Sequence, residues 1–112
     1  MAKGFVIDNH TVIPYDNNMD IVSIAHKGLL DYFLSGNAKG LKQDLVPRIR
    51  TILFALEAAP DIDSLEGPPG WRIHQLKGDR ANQWSISVSG NWRLTFKVED
   101  GAVIDLNLED YH

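Results

Sequence analysis

Five side chains in the second half of this chain carry the functional groups needed to cut a phosphodiester: His74, Lys77, Arg93, Tyr111 and His112. Cleaving RNA through its own 2′-hydroxyl needs a base for that proton and an acid for the leaving 5′-oxygen. It also needs cations to offset the charge that builds on phosphorus. Histidine titrates near neutrality and serves in either proton-transfer role. Lysine and arginine supply fixed positive charge, and arginine adds a fork matched to phosphate oxygens. Tyrosine stacks on a base or assists the leaving group.

These residues share a site only if the elements carrying them line up, and a strand puts alternate residues on opposite faces. Over residues 91–98, Trp92, Leu94, Phe96 and Val98 form an apolar set, which turns Asn91, Arg93, Thr95 and Lys97 the other way. Over residues 83–88, Trp84, Ile86 and Val88 are apolar and Ser85 and Ser87 oppose them. Over residues 102–108, Ile104, Leu106 and Leu108 point inward; Asp105, Asn107, Glu109 and, by continuation, Tyr111 point outward. In a fourth strand over 72–75, Ile73 goes inward and His74 outward. One face is core. The other, open to solvent, collects His74, Arg93 and Tyr111, with Lys77 on the adjoining loop and His112 at the chain end.

Upstream, residues 21–24 read as a strand and 26–34 as a helix stopped by Ser35-Gly36. A second helix over 45–58 buries Leu45, Ile49, Ile52, Leu53 and Leu56 at three-and-four spacing. Asp44 is its expected N-cap, which places Pro47 in the tolerant first turn. Pro60, Gly67, Pro68, Pro69 and Gly70 mark a loop. The expected class is α+β, with two N-terminal helices packed on one face of an antiparallel sheet of about four to five strands. Residues 1–18 read as an N-terminal extension, where Phe5-Val6-Ile7 and Thr11-Val12-Ile13 suit a short hairpin about Asp8-Asn9-His10. Residues 19–112 form the main domain. His10 and His26 read as surface residues.

A chain of 112 residues, 44% hydrophobic and 23% charged, has the balance of one globular domain. No apolar run approaches the ~20 residues that span a bilayer, and the start lacks a secretory pattern, so the cytoplasm is the expected location. Without cysteine, neither disulfides nor thiolate metal sites hold the fold. Asp61, Asp63 and Glu66 lack the ligand spacing for calcium and read as a solvated loop. The net charge of −4 argues mildly against nucleic acid. Arg72, Lys77, Arg80, Arg93 and Lys97 nevertheless cluster in the second half, which permits an RNA site there.

Several runs are more specific. Trp71-Arg72-Ile73-His74-Gln75-Leu76-Lys77-Gly78-Asp79, the hairpin Trp84-Ser85-Ile86-Ser87-Val88 with Asn91-Trp92-Arg93-Leu94-Thr95-Phe96, and the ending Glu109-Asp110-Tyr111-His112 occur in this order. Together with Ala25-His26-Lys27-Gly28-Leu29, they resemble the HigB branch of the RelE/ParE toxin superfamily over about residues 19–112. The resemblance implies a RelE/ParE-like fold and a metal-independent endoribonuclease acting on ribosome-bound messenger RNA. This would be the toxin of a type II toxin–antitoxin system that inhibits translation from the ribosomal A site. It implies a cognate HigA-like helix-turn-helix antitoxin as partner. Carried over position by position, the catalytic candidates are His74, Lys77, Arg93, Tyr111 and His112, with Asp110 orienting a neighbour. Two alternatives are a ParE-like gyrase-inhibiting toxin and a non-catalytic remnant that only binds an antitoxin. The proton-transfer groups of the ending argue against the first, and the acidic net charge sustains the second.

Overall fold

The computed structural model describes residues 5–8, 11–14 and 18–111. Strands β1 (Phe5–Asp8) and β2 (Thr11–Pro14) pair antiparallel, with Asp8 opposite Thr11. His10 lies outside the described residues, as does His112. There follow β3 (Asp20–Ile21), α1 (Lys27–Ser35), α2 (Val46–Ala58), β4 (His74–Gln75), β5 (Trp84–Ser87), β6 (Trp92–Glu99) and β7 (Ala102–Asp110).

The main sheet has five strands in the order β3-β7-β6-β5-β4. It is mixed, which corrects the antiparallel expectation: β3 runs parallel to β7, and an isolated parallel bridge joins Ile24 to Leu106. Apolar alternation reports which face a strand buries and carries no information on its direction. Both helices intervene before β7 comes to lie beside β3, and such a long crossover permits parallel pairing. Nor are the helices both N-terminal; three strands precede α1, and α2 occupies the middle of the chain. The strand expected over 21–24 is replaced by β3 at Asp20–Ile21 and the isolated bridge at Ile24.

Leu29, Leu45, Ile49, Ile52, Leu53 and Leu56 from the helical segments join Ile86, Leu94, Phe96 and Leu106 from the sheet in one buried cluster. Trp84 and Trp92 pack against its edge, and Trp71 is buried within it. The helix starts differ from expectation. His26, half-buried, is the N-cap of α1, its Nδ1 accepting the Leu29 N–H at 3.1 Å. At α2 the cap position belongs to Leu45, and Asp44 sits in a preceding 3₁₀ turn, Gln43–Leu45, with no side-chain cap bond. No helix among the described residues is long and apolar enough to cross a membrane.

Strand β7 breaks its alternation midway. Thr95 faces Asn107 but Lys97 faces Ile104, so one extra residue is accommodated on β7, where Asp105 adopts φ +53°. Such a bulge re-aims the residues before it. Val103 is therefore buried and Ile104 only half-buried, the reverse of the expected inward set. Leu106 and Leu108 stay in the core, and Glu109 keeps the outward face.

Candidate active site

Register assembles the outward face. His74 pairs with Ser85 and Ser85 with Thr95, forming one row across β4, β5 and β6. Ser87 pairs with Arg93 and Arg93 with Glu109, forming the next. His74 and Arg93 thus come from strands of one sheet and lie on one side of it. This face is not a bare solvated surface: Ser85, Ser87 and Thr95 are buried beneath longer side chains.

Those longer side chains meet at Glu109. Arg80 donates from Nη1 to Oε1 at 2.9 Å and from Nη2 to Oε2, a two-pronged pair. Arg93 donates from Nη2 to Oε1 at 3.3 Å, and the Thr95 hydroxyl donates to Oε2 at 2.7 Å. Arg80 also holds the Gln83 Oε1 through Nε and Nη2. The Arg80 hydrogen bond is the largest influence on the Glu109 carboxyl. Burial opposes it; the Thr95 bond and both guanidinium charges reinforce it, and the pKa is lowered from 4.5 to about 2. The Arg80 pKa is raised in return by the Glu109 hydrogen bond, against a smaller effect of burial. A fully ionised carboxylate therefore sits between two cations.

Arg93 reaches further. Its guanidinium carbon lies 4.8 Å from the centre of the Tyr111 ring, within cation–π range. The Tyr111 hydroxyl shares a 2.9 Å hydrogen bond with Ser87 Oγ, and its backbone N–H donates to the Asn91 carbonyl at 2.7 Å. The Arg93 Nε and the Ser85 hydroxyl are buried with no partner among the described residues. Beside the stack lies an open cleft of about 460 Å³ lined by Gly70, Arg72, Ser87, Ser89, Gly90 and Tyr111. Arg72 borders it with φ +49°, and this residue replaces the expected start of the 72–75 strand.

The other described candidates are His74, Lys77 and Asp110. His74 is exposed, and its Nδ1 lies 2.6 Å from the Arg72 carbonyl. A carbonyl only accepts, so Nδ1 carries the proton and Nε2 is left free in the neutral ring. Lys77 is exposed and caps the 3₁₀ turn Gly78–Arg80, where Gly78 takes φ +67°. Asp110 pairs with Trp92 and alternates onto the face opposite Glu109. The structure thus brings Arg93 and Tyr111 into contact, places His74 on their face and Lys77 beside Arg80, and leaves Asp110 on the other side.

Arg80, Thr95, Ser87 and above all Glu109 had no assigned role in the sequence reading. A signal existed: Glu109 shares the outward parity of Asn107 and Tyr111, with the opposite charge to outward Arg93. Only the β6–β7 register makes them neighbours.

Residues 22–112 match the family described as the RelE-like toxin of the type II toxin–antitoxin system HigB. The chain is 42% identical over 92 residues to the endoribonuclease HigB of Proteus vulgaris, covering 82% of this chain and 99% of that one. Among solved structures, it resembles the YoeB/ParE toxin from Agrobacterium tumefaciens at a TM-score of 0.57 and 16% identity. That match covers 84% of this chain and all of the other, 100%. A chain of the E. coli DinJ–YafQ toxin–antitoxin complex gives a TM-score of 0.51 at 17% identity, covering 84% of this chain and 93% of that one. At these identities the structural likeness is one of fold.

Proposed function

Since the chain belongs to the HigB-like family of RelE-like type II toxins, we propose that it is an endoribonuclease that cuts messenger RNA on the ribosome and so stops translation. The observation that carries this reading is the Arg93–Tyr111 stack beside an open cleft, on the same sheet face as His74.

In the proposed reaction a base takes the 2′-hydroxyl proton and O2′ attacks phosphorus. The P–O5′ bond breaks, and an acid delivers a proton to the 5′-oxygen, leaving a 2′,3′-cyclic phosphate and a 5′-hydroxyl. Arg93 and Lys77 offset the charge on the phosphorane. His74 and His112 share proton transfer, the free Nε2 of His74 being suited to accept the first proton. Tyr111 stacks on a base or assists the leaving oxygen, while Asp110, on the opposite face of its strand, takes no part in the step. No step requires a metal or other cofactor. The partner is a HigA-like helix-turn-helix antitoxin, the site of action is the ribosomal A site, and the location is the cytoplasm.

Induction in cells, followed by mapping of message 5′ ends, tests the reading. Cuts confined to translated messages and suppressed by the antitoxin are expected. Intact message with DNA damage, or equal cutting of naked RNA, would overturn it.

A further inference from the structure

We infer that Glu109 is a positioning residue that sets the geometry of the site by tying Arg80 and Arg93 to a single carboxylate. The inference rests on the endonuclease reading above and names a residue to which that reading assigns no role.

Several observations converge on it. Both carboxylate oxygens are engaged, by Arg80 twice and by Arg93 and Thr95 once each. The side chains are largely withdrawn from water, Arg93 being 17% and Glu109 21% exposed, so the ion pair is shielded from much of the screening that weakens surface pairs. Two guanidinium groups converge on one carboxylate and would repel without it. Each then carries something else. Arg93 lies over the Tyr111 ring, which Ser87 anchors. Arg80 ends the 3₁₀ turn that Lys77 begins, and its backbone N–H contacts the Lys77 carbonyl. One carboxylate thereby links the Lys77 turn, strands β5 and β6, and the end of the chain.

The sign of the charge distinguishes positioning from direct substrate contact. A carboxylate repels an anionic phosphate, so simple electrostatics predicts better substrate binding and faster cleavage once Glu109 is neutralised. Positioning predicts slower turnover, because the cations lose their place.

The test uses the full chain and ribosome-bound message. Glu109→Gln keeps side-chain volume and one acceptor oxygen; Glu109→Ala removes both. Turnover should fall about a hundredfold in Glu109→Ala, and less in Glu109→Gln, while KM stays the same or drops. In an Arg93→Ala background the further loss from Glu109→Ala should be under about threefold, the non-additivity expected of residues that act as a unit. Unchanged turnover, or an equal loss in both backgrounds, overturns the inference. A second measurement does not need cleavage: hydrogen exchange of the Arg93 Nε–H, followed by NMR, should speed up about tenfold or more in Glu109→Gln. Unaltered exchange overturns the tether. A wild-type chain that cuts nothing but shows this exchange change counts against the endonuclease reading and leaves the tether standing.

Discussion

Acid should unfold this protein partly by protonating Glu109. Its carboxyl titrates near 2 in the folded chain, against 4.5 for an ordinary glutamate. That difference corresponds to about 3 kcal/mol of extra stability when the group is ionised. The Arg80 side chain is 36% exposed, so solvent screening reduces the figure toward about 2 kcal/mol. Because the folded pKa is the lower one, this stability is fully present above pH 4.5. It is lost as pH falls from 4.5 through about 2, where the unfolded chain is protonated and the folded carboxyl is half so. Urea unfolding of the wild type and Glu109→Gln at intervals from pH 7 to about pH 2 reads it directly. The wild type should be more stable by about 2 kcal/mol at neutral pH, equivalent to about 10 °C in Tm for a domain of this size. That advantage should shrink to a few tenths of a kcal/mol near pH 2. A stability difference that does not change with pH would refute the reasoning, since it would locate the effect in packing rather than charge.

Arg93→Ala and His74→Ala should each slow cleavage of ribosome-bound message by about 10²–10⁴-fold, measured as single-turnover rates with the fold intact by circular dichroism. A polypeptide fused after His112 begins two residues from the Tyr111–Ser87 hydrogen bond, so it should impair toxicity in cells, whereas the same fusion before Met1 should not. Gly28→Ala should destabilise by about 1–3 kcal/mol in thermal unfolding, because the new Cβ would sit 2.3 Å from the Gly40 carbonyl oxygen. Phe96→Ala should cost about 3–5 kcal/mol by the same measurement, the ring being fully buried between sheet and helices.

What the chain declares by itself is local. Three-and-four spacing from Leu45 to Leu56 locates a helix and its buried face, because both follow from the 3.6-residue turn. Alternation through Trp92, Leu94, Phe96 and Val98 identifies β6 and turns Arg93 outward, because the pleat repeats every second residue. The family runs single out His74, Lys77, Arg93 and Tyr111, because a shared order of motifs survives without reference to shape. Tertiary structure alone decides relations between distant segments. The bulge at Asp105 exchanges the places of Val103 and Ile104, since it depends on how β7 must fit both β3 and β6. The direction of β3 depends on where its chain returns from the helices. Glu109 acquires its partners only when β6 and β7 zip in one register and the Arg80 turn folds over them, because charge has no periodicity that marks its counterpart.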